Sequence, residues 1–243
     1  MIAGLPDETR RVRKVLTNRR GGFSAPPYDG FNLGMHVGDD PDSVLRNRRR
    51  LAEGMGVPAD RFVWMDQTHS VNVSVVDGPR RTPVPDTDAL VTATPGLALV
   101  VLVADCTPIL LSDEEAGVVA AVHAGRVGAR NGIVPRAVEA MVGLGARPGS
   151  IHALLGAAAS GRMYEVPDDM AADVEARLPG SRTRTDRGTS GVDVRAGVIR
   201  QLHGMGVTAI DSMPSCTISD PDYFSHRREG VTGRQAGVVM LTR

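Results

Sequence analysis

Short runs of apolar residues, bounded by Gly-, Pro- and Asp-rich turns, recur along this chain and predict its strands. The strongest run is LALVVLVA (97–104), whose unbroken apolar character is typical of a strand buried on both faces. ILLS (109–112) and VVAAVH (118–123) lie on either side of the tight turn DEEAG, which favours an antiparallel pair. Two earlier strands are predicted at RFVWMDQ (61–67) and VNVSVVD (71–77).

Capping residues predict where the first helix begins and ends. We expect this helix to run through VLRNRRRLAEGMG, with Asp42 or Ser43 as its N-cap and Gly54 or Gly56 at its end. The preceding segment, 19–42, is rich in Gly, Pro and Asp and cannot be regular for long. Ordered loops of this length are often functional.

The rest of the chain is predicted to mix helices and strands. The expected elements are helices over most of 131–143, near 168–177 and near 195–204 (capped by Asp193), strands near 151–155, 207–212 and 236–242, and an exposed loop over 183–191. We find neither an internal repeat nor a convincing domain boundary. The sequence therefore predicts an α/β fold, a single-domain layered α/β sandwich with mixed sheets over residues 1–243.

The composition argues against several classes of function. Lys plus Arg equals Asp plus Glu, at 28 each, so no field of one sign favours nucleic acid or a membrane as partner. Aromatic residues are only 3% of the chain, which disfavours stacking of single-stranded bases. No segment reaches the roughly 18 apolar residues of a membrane span, and the first residues lack the apolar stretch of a secretory signal. Because the two cysteines are far apart in sequence, we expect a cytoplasmic protein.

Three residues at the ends of predicted strands could form a metal site: His69, Cys106 and His123. If the DEEAG turn pairs its flanking strands, their distant ends lie side by side and bring Cys106 near His123. Imidazole nitrogen and thiolate sulfur suit zinc, and three protein ligands leave the fourth position open for water or substrate. Taken singly, however, Cys106 is also consistent with a core residue and His69 with a surface histidine.

Six motifs, in order along the chain, resemble those of one known family. They are GGFSAPPYDGFNLGMHVGDDP with NRRR, DQTHSVNV, DALVTATPGLALVVLVADCTPILL, AVHAG, GRMYEVP and SCTISDPDYFSHRREGVTGRQAGVVML. The chain resembles the YfiH family, also called the multicopper-oxidase-type laccase-domain or polyphenol oxidase family. The motifs extend from about residue 17 to the C-terminus, and the combination of ADCTPILL, AVHAG and RREGVTGRQ is specific.

This resemblance implies a zinc-dependent purine nucleoside enzyme. By position, His69, Cys106 and His123 match the family's zinc ligands and catalytic centre. The implied reactions are phosphorolysis of adenosine, inosine and methylthioadenosine, with phosphate as co-substrate, and deamination of adenosine. The chain departs from the family's usual residues at Ser70, at Arg126-Val127 and at His226, which bears on the shape of the purine pocket.

Phosphorolysis also requires an anion site, for which arginine is the best-suited side chain. The first candidate is Arg48, beside Asn47 in the NRRR segment, although a solvated helix face explains most of that segment equally well. The others are Arg227 and Arg228 in the final motif and backbone N–H groups of the Gly-rich segments 20–34 and 124–128. His36 is a candidate for lining the pocket or for a structural hydrogen bond in its loop.

Three other functions remain open from the sequence. Two His and one Cys are also the ligands of a blue-copper centre, so copper is an alternative metal and a laccase-like polyphenol oxidase an alternative enzyme. A multicopper mechanism needs further histidines, and the chain has six in all. Cys106 with His123 also suits a metal-free hydrolase, and a non-catalytic zinc or purine-binding module is the third alternative. The role of Cys216, the general acid or base and the oligomeric state are not predicted.

Overall fold

The computed structural model describes residues 11–242. The β-strands within this range are β1 (Val12–Leu16), β2 (Phe62–Val63), β3 (Val73–Val75), β4 (Ala89–Thr92), β5 (Ala98–Val103), β6 (Thr107–Asp113), β7 (Val118–Ala124), β8 (His152–Leu155), β9 (Arg182–Arg184), β10 (Ser190–Val192), β11 (Ala209–Ser212) and β12 (Gln235–Leu241). The α-helices are α1 (Pro41–Met55), α2 (Arg126–Asn131), α3 (Ile133–Gly143), α4 (Asp168–Arg177), α5 (Val194–Gly204) and α6 (His226–Glu229), and short 3₁₀ turns lie at Ala59–Arg61 and Pro148–Ser150.

The strands form two large mixed sheets and one small hairpin. One sheet has the order β1-β12-β5-β2, the other has the order β11-β8-β6-β7-β4-β3, and β9 pairs with β10. Antiparallel pairs dominate, but β2 with β5, β3 with β4 and β8 with β11 are parallel. The predicted layered α/β fold with mixed sheets is therefore confirmed.

Strand β5 shows why the fold is layered. Leu99 and Val101 point into a core between the two sheets, together with Leu110 of β6. The alternate residues, such as Val100, face a second core beneath α1. A third core lies between the other face of the six-stranded sheet and helices α3, α4 and α5. Because both faces of β5 are covered, its sequence is continuously apolar, as predicted.

The first helix begins earlier than predicted. Its N-cap is Asp40, whose carboxylate accepts hydrogen bonds from the backbone N–H groups of Asp42 and Ser43. Pro41 occupies the first turn, where its missing N–H costs nothing and its fixed φ suits the helix. The assignment of Asp42 or Ser43 as cap was therefore wrong. The predicted end at Gly56 is confirmed, with φ of 61°.

Several short elements differ from the prediction. The segment 183–191, predicted as an exposed loop, overlaps the hairpin of β9 and β10. Strand β9 is polar and largely exposed, and β10 has only three residues, so neither gives an apolar alternation. Of the predicted strand 61–67, only Phe62–Val63 is a strand, since the remainder turns towards the site loop. Strands β1 and β4 and helix α2 were not predicted. No helix within residues 11–242 has the length and apolar character needed to cross a bilayer.

Candidate active site

Strands β6 and β7 place two of the three predicted metal ligands next to each other. The pair is antiparallel, as predicted, with Pro108 opposite His123 and Thr107 opposite Ala124. Cys106 immediately precedes β6, where the chain leaves the four-stranded sheet at the end of β5 and enters the six-stranded sheet. Its thiol therefore lies near His123 at the end of β7.

His69 reaches the same place from the loop between β2 and β3. Its φ of 61° is unusual for a residue with a side chain, and the surrounding hydrogen bonds hold the loop in this conformation. The Nε2 of His69 lies 3.7 Å from Sγ of Cys106, and its ring lies edge-on to that of His123 with 4.7 Å between centroids. The three ligand atoms all lie within 4.8 Å of one another.

This arrangement fits a zinc ion. Zn–S and Zn–N bonds of about 2.3 and 2.05 Å at a tetrahedral angle put sulfur and nitrogen about 3.6 Å apart. The observed separation of Cys106 Sγ and His69 Nε2 is 3.7 Å. Three ligands leave one position for water or substrate, as in catalytic rather than structural zinc sites. Among the residues that the structure describes, no other group of three His, Cys or acidic side chains is placed to bind a metal.

Gly125 keeps the three ligands close together. A Cβ atom at this position would lie 2.7 Å from Cδ2 of His69 and 3.0 Å from Sγ of Cys106. The imidazole of His69 would have to shift, and the sulfur of Cys106 would be in a tight contact. Position 125 therefore requires glycine because any side chain there would collide with the metal ligands, not because of its backbone conformation.

Asp88 orients two of the ligands and was not recognised in the sequence. Its fully buried carboxylate accepts hydrogen bonds from the backbone N–H groups of His69 (3.1 Å) and Ser70 (2.7 Å) and from Nδ1 of His123 (2.7 Å). This bond directs Nε2 of His123 towards the cluster, in the carboxylate–histidine arrangement common around metals. Asp88 directly precedes β4, and an aspartate at the start of a buried strand could have been recognised as a candidate, but β4 was not predicted from the sequence.

The charges of the cluster favour a thiolate. Burial opposes ionisation of Cys106, but His123 and His69 outweigh it and lower the pKa of the thiol to about 6. Burial likewise opposes protonation of His123, yet the Cys106 thiolate and Asp88 raise the pKa of this imidazole to about 9. The cluster therefore stabilises a thiolate at neutral pH, the form that binds metals.

Asp105 joins the site to the C-terminal motif. Its backbone has a φ of 90°, and its carboxylate accepts hydrogen bonds from Oγ1 of Thr217 (2.6 Å) and from the backbone N–H of Arg227 (2.7 Å). These contacts bring a segment about 110–120 positions away in sequence to the edge of the metal cluster. Two motifs that are distant in sequence thereby form one site.

A cavity of about 390 Å³ opens beside the cluster. Its volume lies within the range of roughly 300–1,000 Å³ that small-molecule sites occupy. Its lining combines the metal cluster, an apolar wall and several basic side chains, which are His36, Gln67, His69, Leu102, Val103, Ala104, Asp105, Cys106, His123, Ala124, Arg126, Ala159, Tyr164, Val194, His226, Arg227 and Arg234. Of the predicted residues, His36 and Arg227 lie here, as does His226.

Two cavity arginines are available to a ligand. Within residues 11–242, the guanidinium groups of Arg126 and Arg227 form neither hydrogen bonds nor ion pairs, although that of Arg227 lies 4.8 Å from the centre of the Tyr164 ring. Arg234, in contrast, donates to the carbonyls of Thr232 and Gly233. Neither Arg126 nor Arg234 was selected from the sequence as an anion-binding residue.

His36 is favoured in its neutral form. Desolvation, followed by the nearby charges of Arg234 and Arg48, lowers its pKa below the ordinary value. A neutral imidazole can donate one hydrogen bond and accept another.

The other predicted binding residues lie outside the cavity lining. Arg48 donates two hydrogen bonds to the carbonyl of Leu33, and its guanidinium stacks 3.6 Å from the centre of the Trp64 ring. Asn47 is buried, and its amide holds the 19–42 loop through Phe23 and three oxygen acceptors. The guanidinium of Arg228 donates to backbone carbonyls of the 217–223 segment. These hydrogen bonds support the loops around the site.

Cys216 also lies apart from the metal cluster. Its sulfur accepts a hydrogen bond from the backbone N–H of Ser160 at 3.3 Å, and it forms a β-bridge with Ala158. Neither Cys216 nor Cys106 is in a disulfide.

Comparison with known proteins identifies the family. A family model described as multi-copper polyphenol oxidoreductase laccase matches residues 13–242. The chain belongs to this family. A protein of Corynebacterium glutamicum named purine nucleoside phosphorylase is 60% identical over 98% of this chain and 97% of its own length. A Streptomyces coelicolor protein of the same name is 51% identical over 99% of this chain and 100% of its own.

Solved structures of similar proteins share the fold. YfiH of Bacillus licheniformis superposes with a TM-score of 0.89 at 30% identity, covering 95% of this chain and 93% of that one. YlmD of Geobacillus stearothermophilus also gives 0.89, at 31% identity, covering 98% and 94%. The family resemblance predicted from the motifs is therefore confirmed.

Proposed function

We propose that this chain is a zinc-dependent purine nucleoside phosphorylase that also deaminates adenosine, acting as one cytoplasmic catalytic domain over residues 1–243. The observation that supports this most directly is the cavity itself. In it, a cluster of three metal-binding side chains faces two guanidinium groups that form neither hydrogen bonds nor ion pairs among residues 11–242. Relatives that match nearly the whole chain are named purine nucleoside phosphorylase.

His69, Cys106 and His123 would hold the zinc ion, and Asp88 would orient two of them. Bound there, zinc would supply a Lewis acid beside the substrate. The thiolate of Cys106 and the two imidazoles provide this binding without further residues. Copper remains the alternative occupant, because the same donor set suits it.

The inorganic phosphate co-substrate would bind Arg126 and Arg227. Each guanidinium presents up to five N–H donors in a planar fork that matches a phosphate oxygen pair, and neither group forms a hydrogen bond or an ion pair within residues 11–242. The other predicted binding residues would act indirectly, by supporting the loops around the cavity. The polar groups of Arg48, Asn47 and Arg228 already form hydrogen bonds within the chain.

The purine nucleoside would occupy the remainder of the cavity. Leu102, Val103 and Val194 supply an apolar wall, and Tyr164 an aromatic ring, against which a flat base can pack. His36, favoured as neutral, and His226 provide ring nitrogens for the polar edge of the base or the ribose hydroxyls. The Nδ1 of His226 donates to the carbonyl of Gly230 at 2.6 Å, which leaves Nε2 as its free ring nitrogen.

Incubation of the purified protein with inosine tests the phosphorolysis. Hypoxanthine released only when phosphate is present supports a phosphorylase, while release without phosphate indicates a hydrolase. Binding of inosine without release indicates a non-catalytic module. The same protein given adenosine without phosphate should form inosine, and the Cys106→Ser variant should be inactive in both assays. Failure of the adenosine assay alone would remove only the deaminase part of the proposal.

Two alternative functions have specific support. The matched family is described as a polyphenol oxidoreductase laccase, and a His₂Cys set suits copper. Metal analysis of protein expressed without added copper, with a phenol oxidation assay in chelator, separates this activity from the first. The lowered pKa of Cys106 also suits a cysteine nucleophile with His123 as base. A covalent substrate adduct at Cys106 in metal-free, active protein would favour that hydrolase.

A further inference from the structure

A second cluster of reactive side chains lies away from the candidate active site, at the open edges of the two sheets. Lys14 of edge strand β1 meets His152 of β8, and His152 meets Asp211 of edge strand β11. Lys14 is the only lysine among the 28 basic residues of the chain, all others being arginine. None of the three residues lines the cavity beside the metal cluster.

The hydrogen bonds of Lys14 match a neutral amine. Its Nζ donates to Nδ1 of His152 at 2.7 Å and to the backbone carbonyl of His152 at 2.8 Å. These two acceptors use both hydrogens of a neutral amine and leave its lone pair free. Within the described chain, no carboxylate forms an ion pair with Lys14 that would hold a third proton.

His152 is oriented as a proton acceptor. Its Nε2 lies 3.0 Å from Oδ2 of Asp211, and a carboxylate accepts the N–H of this nitrogen. The lone pair of the neutral imidazole is then on Nδ1, facing Lys14. Two hydrogen bonds thus join a nucleophile (Lys14), a base (His152) and a carboxylate that orients the base (Asp211), as in catalytic triads.

The electrostatic surroundings support this arrangement. Partial burial lowers the pKa of Lys14 to about 7, against opposing effects of Glu114 and Asp211. Glu114 is exposed in the turn between β6 and β7 and has no hydrogen bond among residues 11–242. His152 and Asp211 are 40% and 75% exposed, so a small reagent can reach the cluster from solvent.

We propose that Lys14, activated by His152 and Asp211, is a site of Nε-acylation by small acyl donors such as acyl phosphates. The Nζ lone pair attacks the carbonyl carbon of the donor, and a C–N bond forms. The bond from that carbon to the phosphate oxygen breaks, and phosphate leaves with the electron pair. The amine proton passes to Nδ1 of His152, leaving a neutral amide on Lys14. This site is independent of the proposed phosphorylase activity.

The test is acetylation of the full chain by acetyl phosphate near neutral pH, followed by peptide mass mapping. With a pKa of about 7, about half of the amine of Lys14 is neutral at this pH, whereas only about one part in 3,000 of an ordinary lysine is neutral. We expect Lys14 to be acetylated at least about tenfold faster in native protein than in protein unfolded by urea. An equal or slower native rate overturns the proposal.

Matched variants test the role of each partner. His152→Gln should slow acetylation of Lys14 about tenfold or more by removing the base, and Asp211→Asn should slow it several-fold. Glu114→Gln, which removes a nearby charge outside the triad, should leave the rate unchanged or raise it. Circular dichroism and Tm establish that each variant is folded. If folded His152→Gln and Asp211→Asn both react within twofold of the wild type, the triad is refuted.

Discussion

Replacing Asp88 by Asn should weaken the metal centre without changing any metal ligand. The side chain keeps its shape but loses its charge, and one oxygen becomes an NH₂ group. In the native protein one carboxylate oxygen accepts from His69 and His123, and the other accepts from Thr68 and from both N–H and O–H of Ser70. Whichever way the amide turns, at least two donors then face a donor.

The expected magnitude follows from these contacts. A buried donor without a partner costs about 1–3 kcal/mol, so two donors cost about 2–6 kcal/mol of unfolding free energy. For a chain of this size that corresponds to a Tm lower by roughly 5–20 °C. Loss of an orienting hydrogen bond to a ligand typically lowers metal affinity about 10–100-fold. Asp88→Asn should therefore lower both the Tm and the zinc affinity.

Thermal unfolding of the zinc-free protein and competition with a zinc chelator measure the two effects separately. Asp86→Asn is the matched control, because Asp86 is exposed in the same loop and bonds only Thr68 and Asn72 side chains. Its effect on stability should stay within about 0.5 kcal/mol, typical of surface substitutions. If Asp88→Asn binds zinc as tightly as the Asp86→Asn control does, the orienting role of Asp88 is refuted.

Three further predictions concern other parts of the molecule. Arg227→Ala should raise KM for phosphate at least about tenfold, because a charge-assisted hydrogen bond contributes about 1.5–3 kcal/mol, and KM for inosine should change little. Steady-state kinetics with each substrate varied in turn measures both values. An equal rise in both KM values would contradict the prediction. Gly125→Ala should abolish stoichiometric zinc binding, because the added Cβ forces His69 away. The control Gly143→Ala should retain zinc, because a Cβ there meets nothing within 4 Å. Full zinc content in Gly125→Ala, measured by elemental analysis, would disprove the packing argument. The pKa of Lys14 is about 7 in the folded state and 10.5 in an ordinary lysine. Between pH 7 and pH 10.5 the unfolded chain therefore binds more protons than the folded chain, and the free energy of unfolding should rise with pH over this range. The unfolding free energy of the wild type should rise by about 2 kcal/mol more than that of Lys14→Met over this range, after allowing for partial exposure. Urea unfolding at several pH values measures the difference. If the two proteins show the same dependence of unfolding free energy on pH, the prediction is wrong.

The elements predicted best from sequence are those whose burial dictates their residues. The run 97–104 is apolar on both faces because β5 lies between two cores, and the 109–123 hairpin is fixed by its turn. From that hairpin alone, Cys106 and His123 could be placed side by side. Short, polar or exposed elements such as β9 gave no comparable pattern.

The second layer of the site could not be predicted because long-range contacts create it. Asp88 is one of many aspartates until β4 buries it against the His69 loop. Arg126 and Arg227 lie about 100 residues apart, and only the fold brings them to one cavity. Arg48, the first anion-binding candidate, instead bonds Leu33 and stacks on Trp64, contacts that the NRRR motif does not reveal.

The metal content of protein purified without added metal or chelator tests the central claim most directly. Elemental analysis of the wild type and of a folded Cys106→Ala variant, side by side, is the measurement. We predict about one zinc ion per chain in the wild type and loss of most of it in the variant, because two imidazoles alone bind zinc far more weakly than three ligands do. Full zinc occupancy in Cys106→Ala, or a wild type that is active in phosphorolysis yet contains no metal, would contradict the account.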